Sequence, residues 1–171
     1  ADFKMRIFNA DGSEAKMCGN GIRCVGKFVY DKGYTDKKFI SIETLSGVKY
    51  LTLQVAGGKV KTVAVDMGQA KAEKPINLTV DGETVSLIPV SVGNPHAVIF
   101  VDDIEKAPLT KLGPIIEHHE AFPDGVNVEF VEVLGADKLR MRVWERGSGV
   151  TMACGTGACA SVMAAIAAKH C

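Results

Sequence analysis

Arg6-Ile7-Phe8-Asn9, followed by Cys18-Gly19-Asn20-Gly21, returns later in the chain as Arg142-Val143-Trp144-Glu145, followed by Cys154-Gly155-Thr156-Gly157. The offset is 136 residues for both segments, with no gap between them. In each copy a strand-like segment runs into a Gly- and Ser-containing loop, and Cys-Gly-x-Gly then opens a helical pattern. One Cys-Gly-x-Gly arises easily by chance. Matching flanks at a single offset mark an internal repeat, and a repeat means two equivalent half-structures. The first helix reads over residues 20–32, with Ile22, Val25, Phe28 and Val29 at helical spacing and a stop at Gly33. The second reads over residues 155–169 and is built largely from Ala.

Outward from the repeat, strand patterns dominate. Residues 39–43, 48–55 and 60–65 read as strands turned at Ser46-Gly47 and Gly57-Gly58. Residues 76–80 and 84–90 read as a hairpin about Asp81-Gly82, and 97–101 as a strand after the turn-forming Gly93-Asn94-Pro95. A short helix is expected over 112–119, ended by Phe122-Pro123-Asp124-Gly125. Residues 126–133 and 139–144 form a last strand pair about Gly135-Ala136-Asp137. Many antiparallel strands with two well-separated helices predict an α+β fold. The expected architecture is two pseudo-symmetric halves, 1–67 and 68–171, each a curved, mostly antiparallel sheet around a central helix. Few residues precede the first motif and few follow the second helix, so both halves are expected to be pieces of a longer natural protein.

Composition narrows the function classes. Twenty basic side chains balance twenty acidic ones in 171 residues, so no net field draws the chain to nucleic acid or an anionic membrane. No apolar run has the length of a membrane span, and no basic, apolar leader is seen. The five cysteines, Cys18, Cys24, Cys154, Cys159 and Cys171, are odd in number. Reduced thiols in a cytoplasmic protein are therefore expected rather than a disulfide framework. The Cys-x5-Cys and Cys-x4-Cys spacings are wider than those of zinc ribbons, so no metal site is expected. Glu117-His118-His119-Glu120 is no better a metal motif, because adjacent histidines on a helix diverge; a solvated face is expected there.

A cysteine just before a helix N-terminus sits at the positive end of the macrodipole beside unpaired N–H groups, a position that favours thiolate. The glycines after it let a carboxylate approach the same N–H groups. Two such sites facing one another would put a thiol and a thiolate on opposite sides of one substrate carbon. That arrangement suits inversion at the α-carbon of an amino acid, with the helix termini stabilising charge that develops on the carboxylate. No nucleotide fingerprint and no candidate Schiff-base lysine stands out, so no cofactor is expected. Thiols on either side of one carbon would also lie close once the ligand leaves, and oxidation is expected to join Cys18 to Cys154.

These residues are also recognisable. Phe8-Asn9-Ala10-Asp11-Gly12-Ser13-Glu14-Ala15 with Met17-Cys18-Gly19-Asn20-Gly21-Ile22-Arg23-Cys24 resembles the first signature of diaminopimelate epimerase. Trp144-Glu145-Arg146-Gly147 with Ala153-Cys154-Gly155-Thr156-Gly157-Ala158-Cys159-Ala160 resembles its second, and Gly93-Asn94-Pro95-His96 and Phe122-Pro123-Asp124-Gly125-Val126-Asn127 fit between them. The resemblance implies that Cys18 and Cys154 are the two catalytic thiols, without pyridoxal phosphate or any other cofactor. It implies that Gly19, Asn20, Gly155 and Thr156 bind the reacting carboxylate, while Asn9, Asn94, Asn127 and Arg146 hold the distal end. Glu145 would contact a substrate ammonium and tune Cys154; His96 would tune Cys18. The implied reaction interconverts LL- and meso-diaminopimelate, in lysine and peptidoglycan precursor synthesis. A small amino acid is the expected partner, with a homodimer as the expected assembly. Two other readings stay open: an epimerase or racemase of another amino acid on the same fold, and a non-catalytic amino-acid-binding fragment.

Overall fold

The computed structural model describes residues 1–8, 12 and 14–170, and the chain divides into two compact units, Ala1–Gly68 and Gln69–Cys171. It is a mixed α+β protein.

The first unit is built on a meander of β4 (Phe39–Thr44), β5 (Gly47–Ala56) and β6 (Lys59–Asp66), with β1 (Phe3–Lys4) added parallel to β4 at its edge. Its turns fall where glycine is needed: Gly57 and Gly58 have φ of 61° and 69°, the mirror-image turn whose twist suits a two-residue hairpin. Alternation then sends Ile40, Ile42, Leu51 and Leu53 to one face. Helix α1 (Gly19–Asp31) lays Ile22, Gly26 and Val29 on the sheet. Gly26 permits the close approach, because a Cβ there would come within 2.8 Å of the Leu51 side chain. A small hairpin of β2 (Ile7–Phe8) and β3 (Glu14–Ala15) leads into α1, held by the Arg6 guanidinium donating to both Glu14 oxygens at 2.8 and 2.9 Å.

In the second unit the sheet order is β13-β12-β11-β10-β9-β7, with β8 paired to β9. These strands are β7 (Lys71–Ala72), β8 (Ile76–Val80), β9 (Glu83–Ser91), β10 (Pro95–Phe100), β11 (Asn127–Gly135), β12 (Lys138–Glu145) and β13 (Gly149–Thr151). The expectation of mostly antiparallel pairing, already broken by β1 and β4, is broken again in the middle of this sheet, where β10 and β11 run parallel with His96 opposite Asn127. Parallel neighbours need a crossover. Here it contains a 3-10 turn, Ile104–Lys106, and helix α2, Leu109–Glu117. Ala97, Ile99, Val128 and Phe130 join Leu109, Leu112 and Ile116 of α2 in one core. By alternation His96, Val98, Glu129 and Val131 face the opposite side. That side belongs to α3 (Gly155–Ala167), whose buried Gly157, Ala160, Ala164 and Ala165 are small enough to lie close to the strands. Among the described residues no helix is long and apolar enough to cross a membrane.

The repeat holds down to individual hydrogen bonds. Both motif helices are 13 residues long, and both start at the glycine after the motif cysteine. Ile7 pairs with Ala15 and Phe8 with Glu14; at the same 136-residue offset, Val143 pairs with Thr151 and Trp144 with Val150. The C-termini match as well. Tyr34 N–H donates to the Val29 carbonyl at 2.9 Å, and His170 N–H to the Ala165 carbonyl at 2.9 Å, each closing a Schellman-type cap. The left-handed residue of that cap is Gly33 in the first unit and Lys169 in the second, with φ of 77° and 61°.

Candidate active site

Cys18 and Cys154 are the N-caps of α1 and α3, both in extended backbone conformation. The Cys18 sulfur accepts from the Gly21 N–H at 3.2 Å, and the Cys154 sulfur from the Gly157 N–H at 3.3 Å. Sulfur thus takes the place that a Ser or Asp oxygen usually fills at a helix start. Each thiol is pinned at the helix start beside the N–H groups of the first turn. Gly19 and Asn20 form the first turn of α1, and Asn20 accepts a hydrogen bond from Arg23. Gly155 and Thr156 form the first turn of α3. Asn9 lies outside the described residues.

The surroundings of the two sulfurs differ. Cys18 is half-buried and Cys154 is buried. The helix terminus was expected to favour thiolate, but burial pushes the Cys154 thiol up to about 11, against hydrogen bonds from Thr156 and Gly157 and with the Glu145 and Glu129 carboxyls adding to the rise. Local donors act in the expected direction; loss of water outweighs them. Cys154 is therefore a thiol at neutral pH in this state, suited to give a proton.

Glu145 ends β12, and its Oε1 accepts from the Thr151 hydroxyl at 2.5 Å across the β12–β13 hairpin. The carboxyl is thereby held where it acts on Cys154. Asn127 opens β11 and spans two chain segments. Its Nδ2 donates to the Pro95 carbonyl at 2.9 Å, and its Oδ1 accepts from the Arg146 N–H at 3.0 Å. Arg146 itself reaches the Asp124 carbonyl through a guanidinium N–H at 2.9 Å. Asn94 and His96 flank Pro95 at the start of β10. The Asn94 amide donates to the Thr156 hydroxyl at 3.2 Å and accepts at 3.2 Å from His96 Nε2. The second unit thus gathers Asn94, His96, Asn127, Glu145, Arg146, Cys154, Gly155 and Thr156; Cys18, Gly19 and Asn20 belong to the first.

Two carboxyls in this region were not picked out from sequence. Glu117 was expected on a solvated face, but α2 ends at that residue and turns it inward, 5 % exposed. Its Oε2 accepts from the Trp144 indole N–H at 2.6 Å and its Oε1 from the Gly147 N–H at 2.7 Å, clamping the loop that carries Arg146. Only His118 and Glu120 of that cluster are exposed. Glu129 is fully buried in the middle of β11, with His96 Nδ1 2.7 Å from its Oε1. The available signal was an acid placed mid-strand in the Val-rich run Val126–Val133, where both faces of a central strand are covered.

A family model described as diaminopimelate epimerase matches residues 1–73 and 88–171. A protein of Phocaeicola vulgatus named diaminopimelate epimerase is 56% identical over 97% of this chain and 64% of its own length. Its counterpart in Acetivibrio thermocellus is 53% identical over 97% of this chain and 64% of its own. The chain thus spans about 64% of the length of the curated relatives it matches. Among solved structures, a hydroxyproline epimerase of Agrobacterium vitis superposes with a TM-score of 0.79 at 18% identity, covering 98% of this chain and 56% of the other. At that identity the likeness concerns the fold.

Proposed function

The chain belongs to the diaminopimelate epimerase family, and from that premise we propose that it forms the catalytic part of an enzyme interconverting LL- and meso-diaminopimelate. One cysteine, as thiolate, removes the α-proton, and the other, as thiol, delivers a proton to the opposite face, with no cofactor. The observation that carries this reading is the repeated Cys-capped helix: two sulfurs, each fixed on a helix terminus by an N–H three residues on. A carbanion next to a carboxylate needs that setting, because the N–H groups beside each sulfur can take charge developing on the carboxylate oxygens. In this reading Gly19, Asn20, Gly155 and Thr156 supply those donors. Cys154, kept protonated by burial, is the resting acid, and Cys18 supplies the base for that direction of reaction.

Arg146 offers a planar fork for the carboxylate at the far end of a substrate with two amino-acid ends, and Asn94 adds its remaining amide hydrogen. Asn127 serves that end by fixing the Arg146 backbone. Glu145 tunes Cys154 and meets the substrate ammonium. A reaction of this kind would serve lysine and peptidoglycan precursor synthesis in the cytoplasm.

The test is NMR of LL-diaminopimelate in heavy water with the reduced protein, with a version extended to the length of its relatives, and with Cys18→Ala and Cys154→Ala of each. Deuterium at one α-carbon together with meso product, lost in both variants, supports the two-thiol reaction. If the extended protein gives no exchange, the reading fails and a binding role replaces it. Exchange that survives either substitution refutes the two-base assignment.

A further inference from the structure

Three side chains connect the buried Glu129 to Cys154. His96 Nδ1 lies 2.7 Å from Glu129 Oε1, and His96 Nε2 lies 3.2 Å from Asn94 Oδ1. Asn94 Nδ2 donates to Thr156 Oγ1 at 3.2 Å, and Thr156 Oγ1 lies 3.5 Å from the Cys154 sulfur. We propose that Glu129 is a positioning residue that sets the direction of this hydrogen-bond chain, so that Thr156 aims its O–H at the Cys154 sulfur. The inference deepens the two-thiol reading and rests on it for its functional meaning.

The direction follows from donor counting. Asn94 places its oxygen toward His96, so His96 Nε2 must carry hydrogen. Asn94 gives its own N–H to the Thr156 oxygen, which leaves the Thr156 hydroxyl hydrogen free to point at sulfur. At the other end, His96 Nδ1 meets a carboxyl that is fully buried, and Glu129 Oε2 has no hydrogen-bond partner among the described residues. A charged carboxylate with a bare oxygen in that setting is costly, and burial pushes Glu129 above the ordinary carboxyl range. The acid form resolves the conflict. Glu129 donates a hydrogen bond to Nδ1, and His96 carries its hydrogen on Nε2. Every link then donates toward Cys154, and links aligned in one sense strengthen one another.

Glycine makes room for this arrangement. A Cβ on Gly157, in the first turn of α3, would sit 2.7 Å from Glu129 Oε1, so the carboxyl occupies space that any other residue would claim. The charged or titratable groups that act on the sulfur are Glu145 from β12 and Glu129 from β11. His96, from β10, acts through the chain.

Reversal of the chain has a defined consequence. Without the Glu129 donor nothing fixes the His96 tautomer, and the form with hydrogen on Nδ1 makes Nε2 an acceptor. Asn94 then turns its amide toward the ring, and Thr156 gives its hydrogen to Asn94 rather than to sulfur. A hydrogen bond of this kind changes a thiolate population by about tenfold.

The experiment is an alkaline titration of thiolate ultraviolet absorbance, taken as the difference between each protein and its Cys154→Ser counterpart. Glu129→Gln keeps an N–H for Nδ1 and should leave the curve in place. Glu129→Leu should lower the Cys154 thiolate population by up to about tenfold at a given pH, and Thr156→Val, which deletes the last donor directly, should lower it about tenfold. Thr156→Val carries the test if the Leu variant does not fold. The proposal is overturned if Thr156→Val leaves the titration unchanged. It is also overturned if Gln acts like Leu, which would mean a charged His–Glu pair, or if Leu raises the thiolate population, which would mean direct charge repulsion. The titration needs no substrate, so its failure is separate from failure of deuterium exchange.

Discussion

Glu117→Gln should loosen the loop that carries Arg146 and weaken the second unit by a measurable amount. The wild-type carboxyl accepts on both oxygens, from the Trp144 indole at 2.6 Å and the Gly147 N–H at 2.7 Å. Glutamine has one oxygen, so one of these donors must face an NH2 group instead. An orphaned donor costs roughly 1–3 kcal/mol when buried. Gly147 is exposed, so its N–H can turn to water and the lower half of that range applies. The expected loss is about 1–2 kcal/mol. Trp144 is the single tryptophan, so its emission reports on the second unit during urea unfolding. The midpoint should fall with an unchanged slope, and emission of the folded protein should shift because the indole has lost its acceptor. In a substrate assay, KM should rise more than kcat falls if the loop holds the distal end as proposed. A loss under about 0.5 kcal/mol, within the range of an ordinary surface change, would refute the clamp.

Gly113→Ala should destabilise by about 1–3 kcal/mol, the range for overpacking, because the new Cβ would meet Trp144 Cγ at 2.6 Å; urea unfolding with unchanged stability would mean that α2 shifts freely. Lys169→Gly should stabilise by about 1 kcal/mol by relieving a side chain in the left-handed region, and an unchanged thermal midpoint would argue against a populated cap there. The Cys154 thiol, pushed up to about 11 when folded from 9.0, binds a proton that the unfolded chain has released. Stability from this source is complete below pH 9 and falls as pH rises toward 11, by at most about 2.7 kcal/mol. Cys154→Ser should remove that part of the alkaline slope, and an identical slope in the variant would sink the assignment.

Much of the scaffold was legible because it is locally written. Cys-Gly-x-Gly twice at one offset announced two helix starts, and Gly57-Gly58 and Asp81-Gly82 marked hairpins that need positive φ. The register shared by the two hairpins was not legible, since β2 and β3 have two residues each and β13 only three, too few to show a periodicity. The unread part of the site is non-local. His96 meets Glu129 because β10 and β11 run parallel in one register, and that pairing depends on a crossover through α2. A glutamate inside an apolar strand can face water or core, and only the packing of α2 on one face and α3 on the other decides for Glu129. The thiol followed the same rule. Its place at the helix start is written in the motif, while its protonation is set by burial and by carboxyls from β11 and β12. Two copies of one motif therefore position two sulfurs alike, and the strands around the second copy set Cys154 apart by burying it. An inverting enzyme of the kind proposed needs that difference, because one sulfur must hold a proton while the other lacks it.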